Sequence, residues 1–321
     1  MGPTTPQVVV LGAGISGLSC AVTLAEAGHA VRVVADAAPR DTVSAVAGGL
    51  WFPYGADRGE RSLDLARASC ARYESLLGEP AAGVEAVDYL LLDEEDPWWA
   101  AAMPAGRVRP ARADELPAGY GGGWVARVPL VRTSQHLDWL AGRTAALGVT
   151  FARRRVEDLG ELAELAPVVV DCAGLGAREL CGDDTLSGVR GQVVHLRPRP
   201  GARIACVADE TGPNALAYVL PRGDVCIAGG TAEPADDATP DPATRASILA
   251  RCEAIEPGLT GAAVVRDRAG LRPVRAEGVR LEAEPLGAGV LVHDYGHGGA
   301  GWTLAWGCAL WVRDAVQAAL R

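Results

Sequence analysis

The chain has 321 residues, 49% hydrophobic and 22% charged, enough to bury a sizeable core in two domains or one large one. Its net charge of −10 argues against binding driven by nucleic-acid phosphates. All 30 basic residues are Arg, so a Schiff-base lysine for pyridoxal phosphate and a Walker-type phosphate lysine are both excluded.

The bias towards Ala, Gly and Arg points to a G+C-rich bacterial coding sequence. The eight cysteines (Cys20, Cys70, Cys172, Cys181, Cys206, Cys226, Cys252, Cys308) form no CxxC pair. They read as small buried hydrophobes, with no metal site expected. The N-terminus lacks the features of a secretory signal, and no apolar run reaches the ~20 residues a membrane span needs. A reduced, cytoplasmic protein is the expectation.

In chain order, Gln7 to Leu11 is a β-branched apolar run and reads as a buried strand. The glycine cluster Gly12 to Gly17 follows, then a helix to Ala27 that Gly28 stops. Ala30 to Ala35 is a second strand. Residues 59–128 read as one helix (61–77) followed by irregular, Pro- and Gly-rich chain. A helix is expected over 132–147 with Thr133 or Ser134 as its N-cap. Strands are expected at 149–156, 168–173, 191–197, within 217–229 and at 290–294. A second glycine loop, Gly296 to Gly301, leads into a closing helix over 302–320.

The parallel, fully buried strands thus come from three separated stretches. The expected class is α/β: a Rossmann-like doubly wound sheet built from 1–58, 130–185 and 285–321. A second, mostly antiparallel substrate domain would be built from 59–129 and 186–284.

Gly12-Ala13-Gly14-Ile15-Ser16-Gly17 matches GxGxxG in the strand–loop–helix setting that gives the motif meaning. Gly12 would make the tight turn, Gly14 would let the backbone reach a pyrophosphate, and Gly17 would let helix and strand pack closely. The helix N-terminus would then face the phosphates. Ala35 fills the slot where a ribose-binding acid is usual, and Asp36 follows it. A carboxylate there favours FAD or NAD over NADP; otherwise Asp36 is a turn residue. The block His293-Asp294-Tyr295-Gly296-His297-Gly298-Gly299-Ala300-Gly301-Trp302-Thr303 places a second glycine loop before an apolar helix. A second anion-accepting helix N-terminus suits the electron-rich end of a reduced flavin better than a nicotinamide.

Four stretches together resemble the D-amino acid oxidase family: residues 8–18, Val46 to Tyr54, Gly270-Leu271-Arg272-Pro273-Val274-Arg275, and His293 to Ala309. Weaker agreement runs through 133–156, Asp171 to Gly174 and Arg190 to Gln192. The resemblance implies FAD as cofactor, and a D-amino acid and dioxygen as reactants. The products would be a 2-oxo acid, ammonia and hydrogen peroxide, by hydride transfer from Cα to flavin N5. It implies that Arg272 clamps the substrate carboxylate, that Tyr218 donates to it, and that the Gly299 carbonyl accepts from the amine. Tyr54 and Leu220 would wall the pocket. Ser44, Gly49, Leu50, Val156, Ala173, Gly298, Gly299, Gly301, Trp302 and Thr303 fall at flavin-contacting positions. Two departures stand out: Asn214 aligns with a tyrosine of the animal enzymes, and the segment before Tyr218 is short for a lid.

The residues themselves fit these roles. An Arg offers a carboxylate two parallel charge-assisted bonds, and Arg272 sits between apolar neighbours where a solvated charge is out of place. A structural salt bridge is its other reading, and a structural role is expected for Arg275. Tyr218 lies in an apolar run, so its hydroxyl needs a partner in substrate or core. No histidine stands out as a general base. His29 and His136 read as surface residues, and His293 and His297 as structural. A neutral substrate amine would need no protein base, because the flavin carries the redox step. Expected substrates have neutral or basic side chains, and a homodimer is among the expected assemblies. D-aspartate oxidase and glycine oxidase remain alternatives, the former needing a second cation for which Arg222 is the nearby candidate. An NAD-dependent dehydrogenase is a more distant one.

Overall fold

The computed structural model describes residues 6–92 and 96–321. The chain begins with Val8–Leu11 (β1), Ile15–Glu26 (α1), Val31–Ala35 (β2), Glu60–Ser75 (α2), Val84–Leu92 (β3), Val108–Pro110 (β4) and Gly123–Val131 (β5). It continues with Thr133–Ala146 (α3), Thr150–Arg153 (β6), the single turn Gly160–Ala163 (α4), Val168–Asp171 (β7), the single turn Ala177–Leu180 (α5) and Leu186–Arg197 (β8). Then come Cys206–Asp209 (β9), Ala217–Arg222 (β10), Val225–Gly229 (β11), Glu233–Pro234 (β12) and Pro242–Ile255 (α6). Ala263–Arg275 (β13), Arg280–Leu286 (β14), Gly289–Tyr295 (β15) and Gly301–Ala319 (α7) close the chain.

One sheet has the order β14-β15-β7-β1-β2-β6, parallel except for the edge strand β14. Both faces are covered, which explains the unbroken Val8-Val9-Val10-Leu11 run. Alternation sorts its side chains. Val8 and Val10 join Leu18 of α1 and Leu304 of α7 in one core, while Val9 and Leu11 join Leu162 of α4 in another. Helices α2 and α7 touch backbone to backbone, for a Cβ at Gly307 would stand 2.2 Å from the Leu65 carbonyl oxygen.

The second sheet runs β12-β8-β11-β10-β9-β3-β5-β4, with β13 on the other side of β8. Its pairs are antiparallel apart from β3 with β9.

Several expectations need correction. Residues 84–131 hold three strands, β3, β4 and β5, where the Pro- and Gly-rich sequence points to irregular chain. Helix α6 was not foreseen, although Asp241 caps it by accepting from the Thr244 N–H at 2.7 Å. Strand β14 belongs to the parallel sheet, so residues 280–284 do not sit with the antiparallel one. Helix α3 has Arg132 at its N-cap with no side-chain cap, because the Thr133 hydroxyl turns to the Ala45 carbonyl at 3.3 Å. His29 is half-buried.

His136 is not a surface residue but fully buried. Its Nδ1–H donates to the Ala82 carbonyl at 2.7 Å, and its ring stands among Tyr73, Trp139, Trp302 and Trp306. Burial lowers its pKa to about 4. An unfolded histidine titrates near ~6.5, so below that pH the unfolded chain binds a proton that the folded chain refuses. The stability from neutral His136 is thus full above ~6.5 and is lost as pH falls towards about 4. His136→Phe should reduce the slope of unfolding free energy against pH across this window by up to ~1.4 kcal/mol per pH unit. Denaturant titrations at stepped pH would read it; an unchanged slope would contradict the assignment.

Candidate active site

The loops leaving the C-terminal ends of β1, β2, β6 and β7 surround a cavity of about 880 Å3. Ligands of open parallel sheets bind at this edge. Gly12 has φ +111°, and a Cβ there would meet the Cys172 carbonyl oxygen at 2.4 Å. A Cβ at Gly17 would stand 2.1 Å from the Gly12 carbonyl oxygen, so the helix rests directly on the turn. Gly14 lines the cavity and has only the Ser44 side chain close by. Neither α1 nor α7 has a side-chain cap at its N-terminus. A Cβ at Gly301 would lie 3.8 Å from Ile15 Cγ2, which puts the two helix starts side by side. The Ile15 N–H donates to Ser44 Oγ at 3.1 Å. Both helix starts present partial positive charge to one cavity.

Gly12, Ala13, Gly14, Ile15, Ser16, Asp36, Ser44, Val156, Ala173, Gly298, Gly299, Gly301 and Trp302 all line this cavity. Ala35 points inward, 4% exposed, while Asp36 is exposed at the rim. Gly17 serves packing alone. Thr303 is not in this lining; its hydroxyl donates to the Phe52 carbonyl at 2.6 Å and accepts from the Phe52 N–H at 3.2 Å. Gly49 and Leu50 line a second, smaller cavity instead. Arg155 lines the large cavity without having been anticipated.

The small cavity, about 130 Å3, is lined by Tyr54, Tyr218, Leu220, Arg272 and Gly299. It shares Val43, Val46, Ala47, Gly270, Arg272, Gly299 and Trp302 with the large one. Arg272 reaches this shared wall from β13, two residues beyond Gly270 on the same strand face. Its guanidinium lies over Gly191 of β8, where a Cβ would come within 2.5 Å of Cζ. Nη1 donates to the Thr231 carbonyl at 2.6 Å, and Cζ stands 5.7 Å from the centre of the Tyr54 ring. Among the described residues no carboxylate forms an ion pair with it. Tyr54 in turn covers Gly299, where a Cβ would meet its ring at 2.4 Å.

Tyr218 lies opposite Gly229 in the β10–β11 pair, and its ring crosses Gly229 and Gly230. Burial pushes its hydroxyl up to about 12, although nearby Arg272 pulls the other way. Burial also raises Tyr54 above its ordinary value. Both hydroxyls therefore remain protonated donors at neutral pH.

Sequence reasoning missed Phe52, Tyr89, Glu210, Leu216 and Thr231, which also line the small cavity. Leu216 has φ +66°, unusual for a branched side chain, and its carbonyl accepts from the Gly230 N–H at 2.6 Å. Backbone strain of this kind gathers at functional sites. Asn214 does not line the cavity; its amide donates to Tyr120 Oη at 3.0 Å. Arg222 donates to the Gly48 carbonyl and also lies outside the lining. Arg275 is structural, 2.8 Å from Asp183. His293 is buried 3.0 Å from Glu284. His297 lines the large cavity, its Nε2 3.2 Å from buried Asp294, whose other carboxylate oxygen accepts from the Cys20 and Cys172 thiols.

A cavity at the C-terminal edge of the parallel sheet, with two helix starts opening onto it, Asp36 in its lining and a wall shared with a smaller cavity, fits FAD. Comparison with known proteins agrees. The family model described as FAD dependent oxidoreductase matches residues 7–315. A D-amino-acid oxidase of Rubrobacter xylanophilus is 43% identical over 314 residues, covering 96% of this chain and 95% of that one. One from Streptomyces coelicolor is 44% identical over 312 residues, covering 94% of each. The crystal structure of glycine oxidase from Geobacillus kaustophilus shares the fold, with a TM-score of 0.82 at 20% identity, covering 98% of this chain and 95% of that chain. With the family model spanning nearly all of the chain, this protein belongs to the FAD-dependent oxidoreductases of the D-amino acid oxidase type.

Proposed function

We propose that the chain oxidises D-amino acids with neutral or basic side chains to 2-oxo acids, ammonia and hydrogen peroxide. The observation that carries this reading is Arg272, a cation without an acidic partner among the described residues, on the wall shared by the two cavities. The parallel sheet with its glycine loops would hold the cofactor, and the antiparallel sheet the substrate. FAD in the large cavity would supply the acceptor for the hydride of Cα, which carries both electrons, and their route to dioxygen.

The chain's own contribution is placement. Arg272 would take the substrate carboxylate through charge-assisted bonds, with the Tyr218 hydroxyl donating to it. The Gly299 carbonyl would accept from the amine, beside the Tyr54 ring that closes over that residue. With carboxylate and amine fixed on the shared wall, only one enantiomer turns its Cα hydrogen towards the large cavity. Its side chain is then left to the small one. The position of Arg222 behind the Gly48 backbone counts against a second cation for D-aspartate.

Peroxide release should be seen with D- but not L-amino acids; a broad D-panel without peroxide would sink the proposal. Arg272→Leu should lower kcat/KM by roughly 100-fold or more, chiefly through KM, since charge-assisted bonds are lost at ~1.5–3 kcal/mol each. The variant should keep its yellow flavin spectrum, and normal turnover would refute the clamp. Tyr218→Phe should cost about fivefold to tenfold in kcat/KM, equivalent to one hydrogen bond of ~1–1.4 kcal/mol. Because burial holds the Tyr218 hydroxyl near about 12, this loss should be the same at pH 7 and pH 9.5. A loss that shrinks with rising pH would show that the hydroxyl ionises within that range.

A further inference from the structure

Among its described lining residues the small cavity carries two formal charges, Arg272 and Glu210. Their origins differ. Arg272 arrives on β13 at the wall shared with the large cavity, whereas Glu210 lines the small cavity alone. Glu210 directly follows β9, and strand alternation puts it on the face of Ala208, which lines the same cavity. Asp209 between them turns the other way and is fully buried. Its carboxylate accepts from the Gly212 N–H at 2.6 Å and the Asn214 N–H at 2.8 Å, which pins the turn carrying Glu210. Much of the remaining wall is apolar or aromatic, including Phe52, Tyr89, Leu216 and Leu220. A charge set in such a wall acts more strongly than one in water. Glu210 opposes Arg272 in its effect on both Tyr54 and Tyr218, so its field reaches the groups that would hold the substrate.

We propose that Glu210 selects among D-amino acids by side-chain charge, favouring a guanidinium or ammonium side chain and rejecting a carboxylate one. This inference rests on the oxidase reading above. With the α-carboxylate on Arg272 and the α-hydrogen towards the large cavity, the side chain extends along the wall that Glu210 occupies. A cationic end then meets an acceptor-only carboxylate. An anionic end meets a like charge within an apolar surround.

The test compares near-isosteric pairs on the flavin-loaded enzyme by peroxide release. D-arginine should exceed D-citrulline in kcat/KM by roughly 10- to 100-fold, the range of a hydrogen bond to a charged group, and mainly through KM. D-glutamate should fall below D-glutamine by about tenfold or more. Glu210→Gln should bring the D-arginine to D-citrulline ratio to within about threefold of one, a readout independent of any general loss of turnover. A wild-type ratio near one, or a ratio that survives the substitution, would overturn the role of Glu210. If the variant does not fold, the two wild-type ratios decide the matter. Peroxide from D-methionine with ratios near one would defeat the Glu210 proposal alone. No peroxide from any D-amino acid would defeat the oxidase reading and this inference with it.

Discussion

The first turn of α1 rests on the carbonyl of Gly12, and the arrangement at the mouth of the parallel sheet depends on that approach. It exists because position 17 has no side chain: a Cβ would stand 2.1 Å from the carbonyl oxygen. Gly12 lies in the same way over the Cys172 carbonyl, so the ends of β1 and β7 and the start of α1 form one unit. Helix α7 enters beside them through Gly301. Two helix starts with no side-chain cap then open onto one cavity, each carrying roughly half a positive charge. The site offers anions backbone dipoles that are already oriented, with little reorganisation left to do.

The two sheets meet through β13. β13 pairs with β8 from Ala263 to Arg275, and near its end it also meets the loop before α7. The Gly298 N–H donates to the Pro273 carbonyl at 2.8 Å, and Val274 bridges to His297. Arg272 and Gly299 are therefore held by one local set of hydrogen bonds, although one lies on β13 and the other in the loop between β15 and α7. That coupling fixes the spacing between two distant stretches of chain on the wall that the cavities share.

Much of this was legible in the chain, and the reasons for the remainder are physical. Strands β1, β2, β7 and β15 declare themselves because strands buried on both faces must be continuously apolar. Strand β13 does not, since Arg266, Asp267 and Arg268 break its apolar pattern while its backbone pairs with β8. Helix α6 buries only Ile248, Cys252 and Ile255, too thin a stripe among Ala and Arg residues to signal itself. His136 looked like a surface residue because its environment comes from four aromatic side chains on three helices. At the site, the motifs disclosed Arg272, Gly299 and Trp302 of the shared wall and the glycine turn of the large cavity. Of the wall private to the small cavity, Tyr54, Tyr218 and Leu220 were legible, while the part that follows β9 stayed hidden. Glu210 and Leu216 belong to a seven-residue connection, 210–216, without any motif, and only the fold decides that Glu210 rather than Asp209 faces inward.

The partition of that wall bears on how such a chain could diverge. Val43, Val46, Ala47, Gly270, Arg272, Gly299 and Trp302 line both cavities, so with cofactor in one and substrate in the other a change in any of them would touch both. Phe52, Tyr89, Ala208, Glu210, Leu216 and Leu220 answer to the small cavity alone. Descendants can therefore acquire new diets by drift on the private side while the flavin cradle stays under purifying constraint. Libraries aimed at new substrates have their freest positions there.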